Sequence, residues 1–498
     1  SMLSDGRAVF TIDKNILGDG ISHITLFDAG RRPVCERLYF KRSTAGLLIN
    51  ATADQTAYAT RKKVTLQVQT EDRPGHATPA NLSLSVFLLD SLQPLQYTDM
   101  AAYLLLTSDI KGRVEDPAYY FSHADAAGDT AADDLMLTQG WRRFRWEEAL
   151  QNSRPLFDYL PEKEGTIINA RVTDRRNGQP VKNAMAWLSV PGQSFVVSTA
   201  AAHANGSLHF NMGNFYGHNE IIAQTPRTDS SCRVDIAAPW SDKFSATPFP
   251  AYTLPPHWKN QLEYRSINAQ ADNSYRLKDK DRVIIPASPD TTLFYGRPDK
   301  QYYLDDYTRF STMEEVMHEY IAEVRVRKPA DTYNFRVVNL YFKAFFDDDP
   351  LVLLDGVPVF DAGRIMAMDP LRIKKIDVVL HKYYYGPFTA DGIVSYTTYE
   401  GNLAGYTLDP NAVVVEYEGL QRAREFYAPA YETAEAAASR LPDTRNALHW
   451  APQLKTGEKG GQSLSFYTSD LKGRYAVVVQ GISPAGLAGS RVFTFDVH

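Results

Sequence analysis

Short strand-like segments separated by tight turns recur along most of this chain of 498 residues, and they constrain its fold more than any other feature. Residues 21–27 alternate between two faces, and residues 63–69 and 82–89 have the same character. The turn at Asn205 and Gly206 is typical of a hairpin. Aromatic residues make up 12% of the chain, and they fit the half-buried surface of a sheet. We therefore predict a mainly β protein with several β-sandwich domains and one α+β domain.

The charge and cysteine content exclude several classes of protein. The net charge is −6 with no basic domain, so we predict no nucleic-acid partner. The sequence contains no apolar run of about 18–20 residues, so it predicts no transmembrane helix. Two cysteines cannot build a disulfide framework. We expect Cys35 and Cys232 to be separate buried thiols, with one long-range bridge as the alternative. Ser1 and Met2 are typical of a cloning remnant, so we expect the natural chain to begin earlier.

The order of these patterns divides the chain into seven segments. Ser311 and Thr312 stand three residues before Glu314 and Glu315, which gives two overlapping capping boxes and predicts a helix. Strands and a short helix follow this helix, so that part is predicted to be α+β. The predicted segments are the closing strands of a sandwich (1–44), a β domain (45–120), a connector (121–160), a β-sandwich (161–250), a linker rich in Pro, Asp and Lys (251–300), the α+β domain (301–408) and a C-terminal β-sandwich (409–498).

Several segments resemble known domain families. Residues 20–28 with 33–38 resemble the closing strands of a macroglobulin-type domain, as found in α-2-macroglobulins, and residues 45–120 resemble a second one. Residues 161–250 resemble the carboxypeptidase regulatory-like sandwich, through residues 168–174 and 178–181. Residues 301–408 resemble the plug domain of TonB-dependent receptors, through residues 353–358, 368–378 and 392–398. This combination is similar to large multi-domain envelope proteins of Bacteroidetes.

The resemblance implies a place in the cell envelope, in the periplasm or at the outer membrane. It also implies other envelope proteins as partners, among them an outer-membrane barrel transporter. A TonB-dependent receptor has a transmembrane β-barrel after its plug, but here fewer than 100 residues follow the plug-like segment and their pattern predicts a β-sandwich. The chain by itself is therefore not predicted to be a transporter. Neither Cys35 nor Cys232 lies in the Cys-Gly-Glu-Gln stretch of a macroglobulin thioester, so covalent trapping of proteases is not predicted.

The sequence contains no convincing catalytic set. His318 and Glu319 begin like a zinc-hydrolase motif, but Ala322 occupies the place of the second metal ligand. The run 347–349 of three Asp residues could hold Ca²⁺, but a solvated turn is favoured. Asp355 is predicted to accept an Asx-type hydrogen bond in a turn. We predict no catalytic, cofactor-binding or metal-binding residues, and we predict that the chain is not an enzyme.

Two aromatic segments are candidate interaction surfaces. The first contains Trp141, Arg142, Arg143 and Trp146, where docking between domains is the favoured alternative. The second contains Tyr383, Tyr384 and Tyr385, where packing at a sheet edge is equally compatible with the sequence.

The sequence therefore indicates a non-catalytic binding or scaffolding protein of the bacterial outer-membrane envelope. One alternative is an accessory component of TonB-linked nutrient uptake. Another is a macroglobulin-type protease-interacting protein, which would need a protease-sensitive loop such as residues 122–134. A hydrolase would need a cleft with two carboxylates. The ligand, the oligomeric state and any membrane anchor stay open.

Overall fold

The computed structural model describes residues 9–139, 144–150, 161–213, 215–226, 231–249, 251–280, 282–284 and 292–498. The chain forms two compact units. Unit 1 comprises Ser1–Pro155, Pro250–Arg282 and Arg424–His498, and unit 2 comprises Leu156–Phe249 and Val283–Ala423.

Strands dominate the described residues, which confirms the predicted mainly β fold class with several separate sheets. The strands are β1 (Gly20–Phe27), β2 (Pro33–Lys41), β3 (Leu47–Ala53), β4 (Ala57–Tyr58), β5 (Lys63–Asp72), β6 (Asn81–Leu88), β7 (Ile167–Asp174), β8 (Met185–Val190), β9 (Val196–Ala201), β10 (Ser207–Asn211), β11 (His218–Gln224), β12 (Cys232–Ile236), β13 (Lys300–Tyr303), β14 (Val324–Arg327), β15 (Asn334–Asn339), β16 (Ala344–Phe345), β17 (Leu351–Leu354), β18 (Val357–Pro358), β19 (Ile373–Tyr385), β20 (Phe388–Thr398), β21 (Val413–Glu418), β22 (Ala447–Lys455), β23 (Gly461–Tyr467), β24 (Gly473–Ile482) and β25 (Ala488–Val497). The helices are α1 (Met100–Ala102), α2 (Tyr119–Ser122), α3 (Ala126–Thr138), α4 (Trp146–Leu150), α5 (Lys259–Lys280), α6 (Met313–Glu319), α7 (Ala362–Met366) and α8 (Ala434–Ala437).

The main body of unit 1 is one β-sandwich. A five-stranded sheet, β22-β6-β24-β25-β4, faces a three-stranded sheet, β23-β5-β3. Alternate residues of β6, such as Leu84 and Val86, are buried, because one face of each sheet packs on the other. Strand β6 pairs with β22 on one side and with β24 on the other. The prediction of a separate C-terminal sandwich over residues 409–498 is therefore wrong, since these strands complete the sandwich begun by residues 45–120.

The rest of unit 1 surrounds the β1–β2 hairpin. Leu38 and Phe40 of β2 share a core with Leu106, Ala132 and Met136, and the last two belong to α3. Asp125 caps α3 by accepting a hydrogen bond from the backbone NH of Gly128 at 2.8 Å. Most of residues 122–134, the candidate protease-sensitive loop, thus lies in a packed helix, and so does part of the predicted connector.

Helix α5 corrects the prediction of a linker over residues 251–300. The helix spans 22 residues, and polar contacts attach it to the rest of unit 1. Arg265 donates hydrogen bonds to Asp90 at 2.5 and 3.0 Å, and Arg276 donates to the hydroxyl of Tyr427 at 2.9 Å. Because the contacts of these side chains are polar, hydrophobic periodicity does not reveal the helix.

Unit 2 contains a second sandwich and an α+β domain. The sandwich packs the sheet β10-β7-β12 against the sheet β21-β11-β8-β9. Strand β21 belongs to this sandwich, although the sequence predicted its residues to be part of the C-terminal sandwich over 409–498. This is a second correction to that predicted segment. In the α+β domain, β13-β19-β20-β17-β18 form a mixed sheet in which β17 and β20 are parallel. Of the two overlapping capping boxes predicted, the one from Thr312 to Glu315 caps α6: Thr312 accepts from the NH of Glu315, whose carboxylate accepts from the NH of Thr312.

The two faces of this mixed sheet have different covers. One face packs against α6, α7 and the strands β14 and β15, with Leu380 and Val394 in its core. The other face packs against Trp187 and Phe195 of the sandwich, together with Tyr295.

Candidate interaction surfaces

The first predicted aromatic segment is only partly described. Trp141, Arg142 and Arg143 lie outside the described residues. Trp146 begins α4, and its ring meets Phe27 edge-on at 4.9 Å between centroids. Its indole NH donates to a carboxylate oxygen of Glu36 at 3.1 Å. Trp146 is thus docked on the β1–β2 hairpin, as the docking interpretation predicts for this residue.

The β1–β2 hairpin has two contrasting faces. Its inner face carries Leu38 and Phe40, which are buried against α3 and its neighbours. On the outer face, Ile24 lies opposite Arg37, and Leu26 lies opposite Cys35. Leu26 is 45% exposed, so apolar side chains stand on both faces but only the inner face is packed. Both cysteines are thiols; Cys35 is exposed, contrary to expectation, and Cys232 is buried.

Beyond β2, no strand pairs with β1 in the part of the chain that the structure describes. Helix α3 packs on the inner face through Ala132 and Met136, and its Asp133 forms an ion pair with Arg37 of β2 at 2.6 Å. The edge of β1 that faces away from β2 therefore has no strand neighbour among the described residues, although the backbone of Leu105 lies against Gly20 at the start of the strand. Strand edges of this kind are templates for pairing with another chain. We call Ile24, Leu26 and the edge of β1 that pairs with no described strand the hairpin surface.

The second predicted segment divides between two faces of β19, since successive residues of a strand point in opposite directions. Tyr383 and Tyr385 pack against Phe294, with ring centroids 5.7 and 4.8 Å from it. Their hydroxyls donate to the backbone carbonyls of Phe294 and Val197. Burial raises the pKa of both tyrosines above the usual value. These two residues therefore pack within unit 2, in agreement with the packing alternative that the sequence left open.

Tyr384 is the exposed member of this triplet. It points to the opposite face of the sheet and is 69% exposed. Lys382 shares that face and forms an ion pair with Asp391 at 3.2 Å. Of the three predicted tyrosines, Tyr384 alone keeps the geometry of a contact residue.

Sequence reasoning missed a more exposed group of side chains on the same face of the sheet. Strand β15 ends at Asn339. Leu340, Tyr341 and Phe342 then form the tip of the β15–β16 hairpin, and they are 59%, 87% and 73% exposed. The backbone NH of Leu340 donates to the carbonyl of Leu380 at 3.0 Å, which fixes the base of the tip on β19. We call these three residues the aromatic tip.

The side chain of Asn339 organises the aromatic tip. Its carbonyl oxygen accepts hydrogen bonds from the NH groups of Tyr341 at 2.9 Å and Phe342 at 3.1 Å. Lys343 closes the turn with a positive φ of 52° and donates its NH to the carbonyl of Asn339. An Asn that bonds to the backbone two residues later is a turn signal, and it could have located this turn in the sequence.

Asp355 lies at the centre of a buried polar cluster in the α+β domain. It is fully buried and has a positive φ of 48°. Its carboxylate accepts hydrogen bonds from the NH and the hydroxyl of Thr398 at 2.7 and 2.6 Å, and from the NH of Leu403 at 2.8 Å. The predicted local Asx-type bond is therefore replaced by a long-range clamp, which joins the end of β17 to the turn after β20.

Other buried carboxylates also hold the fold together. Asp443 accepts two hydrogen bonds from Arg445, each 2.8 Å, and one from Tyr431 at 2.9 Å. Asp377 is bonded by Tyr295 at 3.0 Å and by Lys375 at 2.7 Å. These acceptors stabilise loops and strand ends in the manner expected of buried charges.

The described residues contain no cluster of three or more His, Cys, Asp or Glu side chains that could hold a metal ion. A shallow groove of about 350 Å³ lies between α5 and residues 426–447. Asp272 is the one carboxylate among its described lining residues. A larger groove of about 540 Å³ in unit 1 is lined by two carboxylates. Of these, Asp99 accepts from the NH of Ala102 at 3.0 Å and Asp19 accepts from the hydroxyl of Ser43 at 2.7 Å. Among the helices of the described ranges, none is long and apolar enough to cross a membrane.

Comparison with known proteins gives little further information. No protein-family model and no curated protein matches the chain. Among solved structures, the tetra-tandem repeat in the extending region of a large adhesion protein shares 9% identity over 90% of this chain and 99% of that chain, with a TM-score of 0.13.

Two further matches are structures of α-2-macroglobulin from Escherichia coli. The trypsin-activated form has 10% identity and a TM-score of 0.09, and the match covers 96% of this chain and 36% of that chain. The native form has 10% identity and a TM-score of 0.11, with 97% and 35% covered. At these TM-scores the likeness is limited to a multi-domain, β-rich character, and it carries no information on function.

Proposed function

We propose that this chain is a non-catalytic binding or scaffolding protein of the bacterial outer-membrane envelope, and that the hairpin surface of unit 1 binds a partner protein. The observation that carries this proposal is the combination of exposed Ile24 and Leu26 with a β1 edge that has no strand neighbour among the described residues. The location in the envelope is supported by the domain resemblances of the sequence.

The mode of binding follows from the geometry of the hairpin. A two-stranded sheet is marginally stable unless further strands or helices cover it. Helix α3 covers one face, and the outer face and the β1 edge offer an apolar surface beside backbone hydrogen-bonding groups. A partner segment in extended conformation can use both, through main-chain hydrogen bonds to β1 and an apolar side chain against Leu26. The expected partner is therefore an envelope protein that supplies a β-strand with alternating apolar residues.

The polar clusters support the non-catalytic part of the proposal. Asp355, Asp377 and Asp443 are all buried, and each accepts at least three hydrogen bonds from the protein. A carboxylate that is held by several fixed donors stabilises the fold and is poorly suited to exchange protons with a substrate.

The test is affinity capture from envelope extracts with three versions of the full chain. Leu26→Glu places a charge on the hairpin surface, and Val414→Glu is the matched control, because Val414 is a strand residue of unit 2 with nearly the same exposure. We expect the wild type and the control to capture the same envelope protein and the Leu26 variant to lose it. Circular dichroism checks that all three are folded.

Hydrogen–deuterium exchange on the captured complex then tests strand addition directly. Added main-chain hydrogen bonds should protect amides of β1, and protection confined to other strands would contradict this mode. Capture of cytosolic enzymes alone, or of the same partner by the Leu26 variant, would overturn the proposal. An outer-membrane barrel as the captured protein would favour the accessory role in TonB-linked uptake.

A further inference from the structure

The aromatic tip of unit 2 has an exposure that folding does not explain. Leu340, Tyr341 and Phe342 are adjacent, and most of each side chain faces solvent. Contiguous exposed apolar groups of this kind mark sites that bind another surface. The rings of Tyr341 and Phe342 contact each other edge-on at 5.0 Å, so the exposed group forms one continuous patch.

The turn holds these side chains outward. The two hydrogen bonds from Asn339 and the bond between its carbonyl and Lys343 fix the backbone of the tip. The bond from Leu340 to Leu380 joins the tip to the central sheet. Since the turn is organised before any contact is made, binding requires little additional ordering of the chain.

We propose that the aromatic tip inserts into the interfacial region of a lipid bilayer and so attaches unit 2 to a membrane surface. The composition of the tip fits that environment, where aromatic residues are enriched and a tyrosine hydroxyl can stay at the level of the headgroups. Lys343 follows directly, and its long side chain can reach headgroup phosphates while the apolar residues are immersed.

The size of the patch favours a bilayer over a protein partner. One aliphatic and two aromatic side chains offer roughly 500 Å² of contact area. A stable protein interface needs about 800 Å² from each partner. A bilayer accepts a small convex tip because lipid chains surround it on all sides.

The charges around the tip predict the kind of membrane. Arg336 forms an ion pair with Asp349, Lys382 forms one with Asp391, and Asp347 and Asp348 stand close in sequence to Lys343. Positive and negative groups are thus nearly balanced. Binding is therefore driven by apolar contact, works on zwitterionic lipids and depends weakly on salt.

The experiment is flotation of the full chain with vesicles of phosphatidylcholine and phosphatidylethanolamine. Tyr341→Ser with Phe342→Ser removes the aromatic tip, and Phe244→Ser with Phe249→Ser is the matched control, because this second pair is equally aromatic and at least as exposed. We expect the tip variant to lower the partition coefficient at least about tenfold, which corresponds to ~1.4 kcal/mol. The control should stay within about twofold of the wild type, and 0.5 M salt should change little.

A second readout places the tip in the lipid. Tyr341→Trp introduces a fluorophore at an exposed position, and its additional emission should shift to the blue and be quenched by lipids brominated near the headgroup. Absence of wild-type flotation, equal loss in both variants, or no added quenching would each overturn the proposal. The proposal would also be overturned if an envelope protein bound the chain only when the aromatic tip was intact and vesicles did not bind. The inference does not rest on the proposed hairpin partner, since different substitutions in different units remove the two surfaces.

Discussion

Replacing Asp355 with alanine removes a fully buried carboxylate that holds three hydrogen bonds at once. A hydrogen bond to a charged group contributes about 1.5–3 kcal/mol, and the three are not additive because one carboxylate shares them. Alanine also tolerates the positive φ of this position less well than Asp does. We expect Asp355→Ala to lower the free energy of unfolding of unit 2 by about 4 kcal/mol, and Asp355→Asn by about 2 kcal/mol.

Urea unfolding followed by tryptophan fluorescence measures this cost. Trp187 is buried in unit 2 and packs edge-on against Phe388 at 4.7 Å, so its emission should report unfolding of this unit. A Trp187→Phe variant identifies which transition belongs to unit 2, because a chain with two units need not unfold in one step. With a slope of ~2 kcal/mol/M, a loss of ~4 kcal/mol shifts the midpoint by ~2 M.

Two outcomes would refute the clamp assigned to Asp355. One is a midpoint for Asp355→Ala that stays close to that of the wild type. The other is an equal cost for alanine and asparagine, since asparagine keeps one acceptor oxygen and tolerates the positive φ. Asp347→Ala is the control, because Asp347 is an exposed Asp of the same domain, and its midpoint should not move measurably.

Three further changes test the fold. Gly392→Ala should cost about 2–4 kcal/mol in the same urea assay, because φ is 92° and the new Cβ would lie 2.8 Å from the carbonyl oxygen of Val379. Burial lowers the pKa of His449 below 6.5, so unit 1 should lose stability as pH falls below 6.5, and His449→Phe should remove that slope in melts between pH 5 and 7. Burial alone would raise the pKa of Asp470, but the hydrogen bond from Arg61 lowers this pKa below 3.8 overall. Ionised Asp470 should therefore stabilise unit 1 above pH 3.8. This stabilisation should be lost in melts at lower pH and should be absent in Asp470→Asn.

The strands of the sandwiches could be predicted because burial leaves a local trace. The alternation in residues 63–69 and 82–89 matches β5 and β6 closely. Their partners could not be predicted, since every strand with one buried face has the same pattern. Strand β6 pairs with β24, which lies almost 400 residues later, and no local feature of either strand specifies the other.

The candidate surfaces show a similar division. Strict alternation could have separated Tyr384 from Tyr383 and Tyr385, because the outer two residues of any strand triplet share a face. Which face is buried depends on Phe294, and the triplet itself does not encode that contact. The aromatic tip was hidden by β-propensity, since aromatic residues after a strand extend the predicted strand.

The hairpin surface follows from a mismatch between pattern and packing. Apolar residues on both faces of a strand are typical of a strand that is covered on both faces. In β1, Ile21 contacts the core shared with α3, whereas Ile24 and Leu26 face outward. If a second element packed on Ile24 and Leu26, β1 would be buried on both faces, as its apolar residues on both faces predict. A bound strand supplies such an element and pairs with the edge of β1 that has no described strand neighbour in the same step, which is why the hairpin surface is the part of unit 1 where we expect a partner protein.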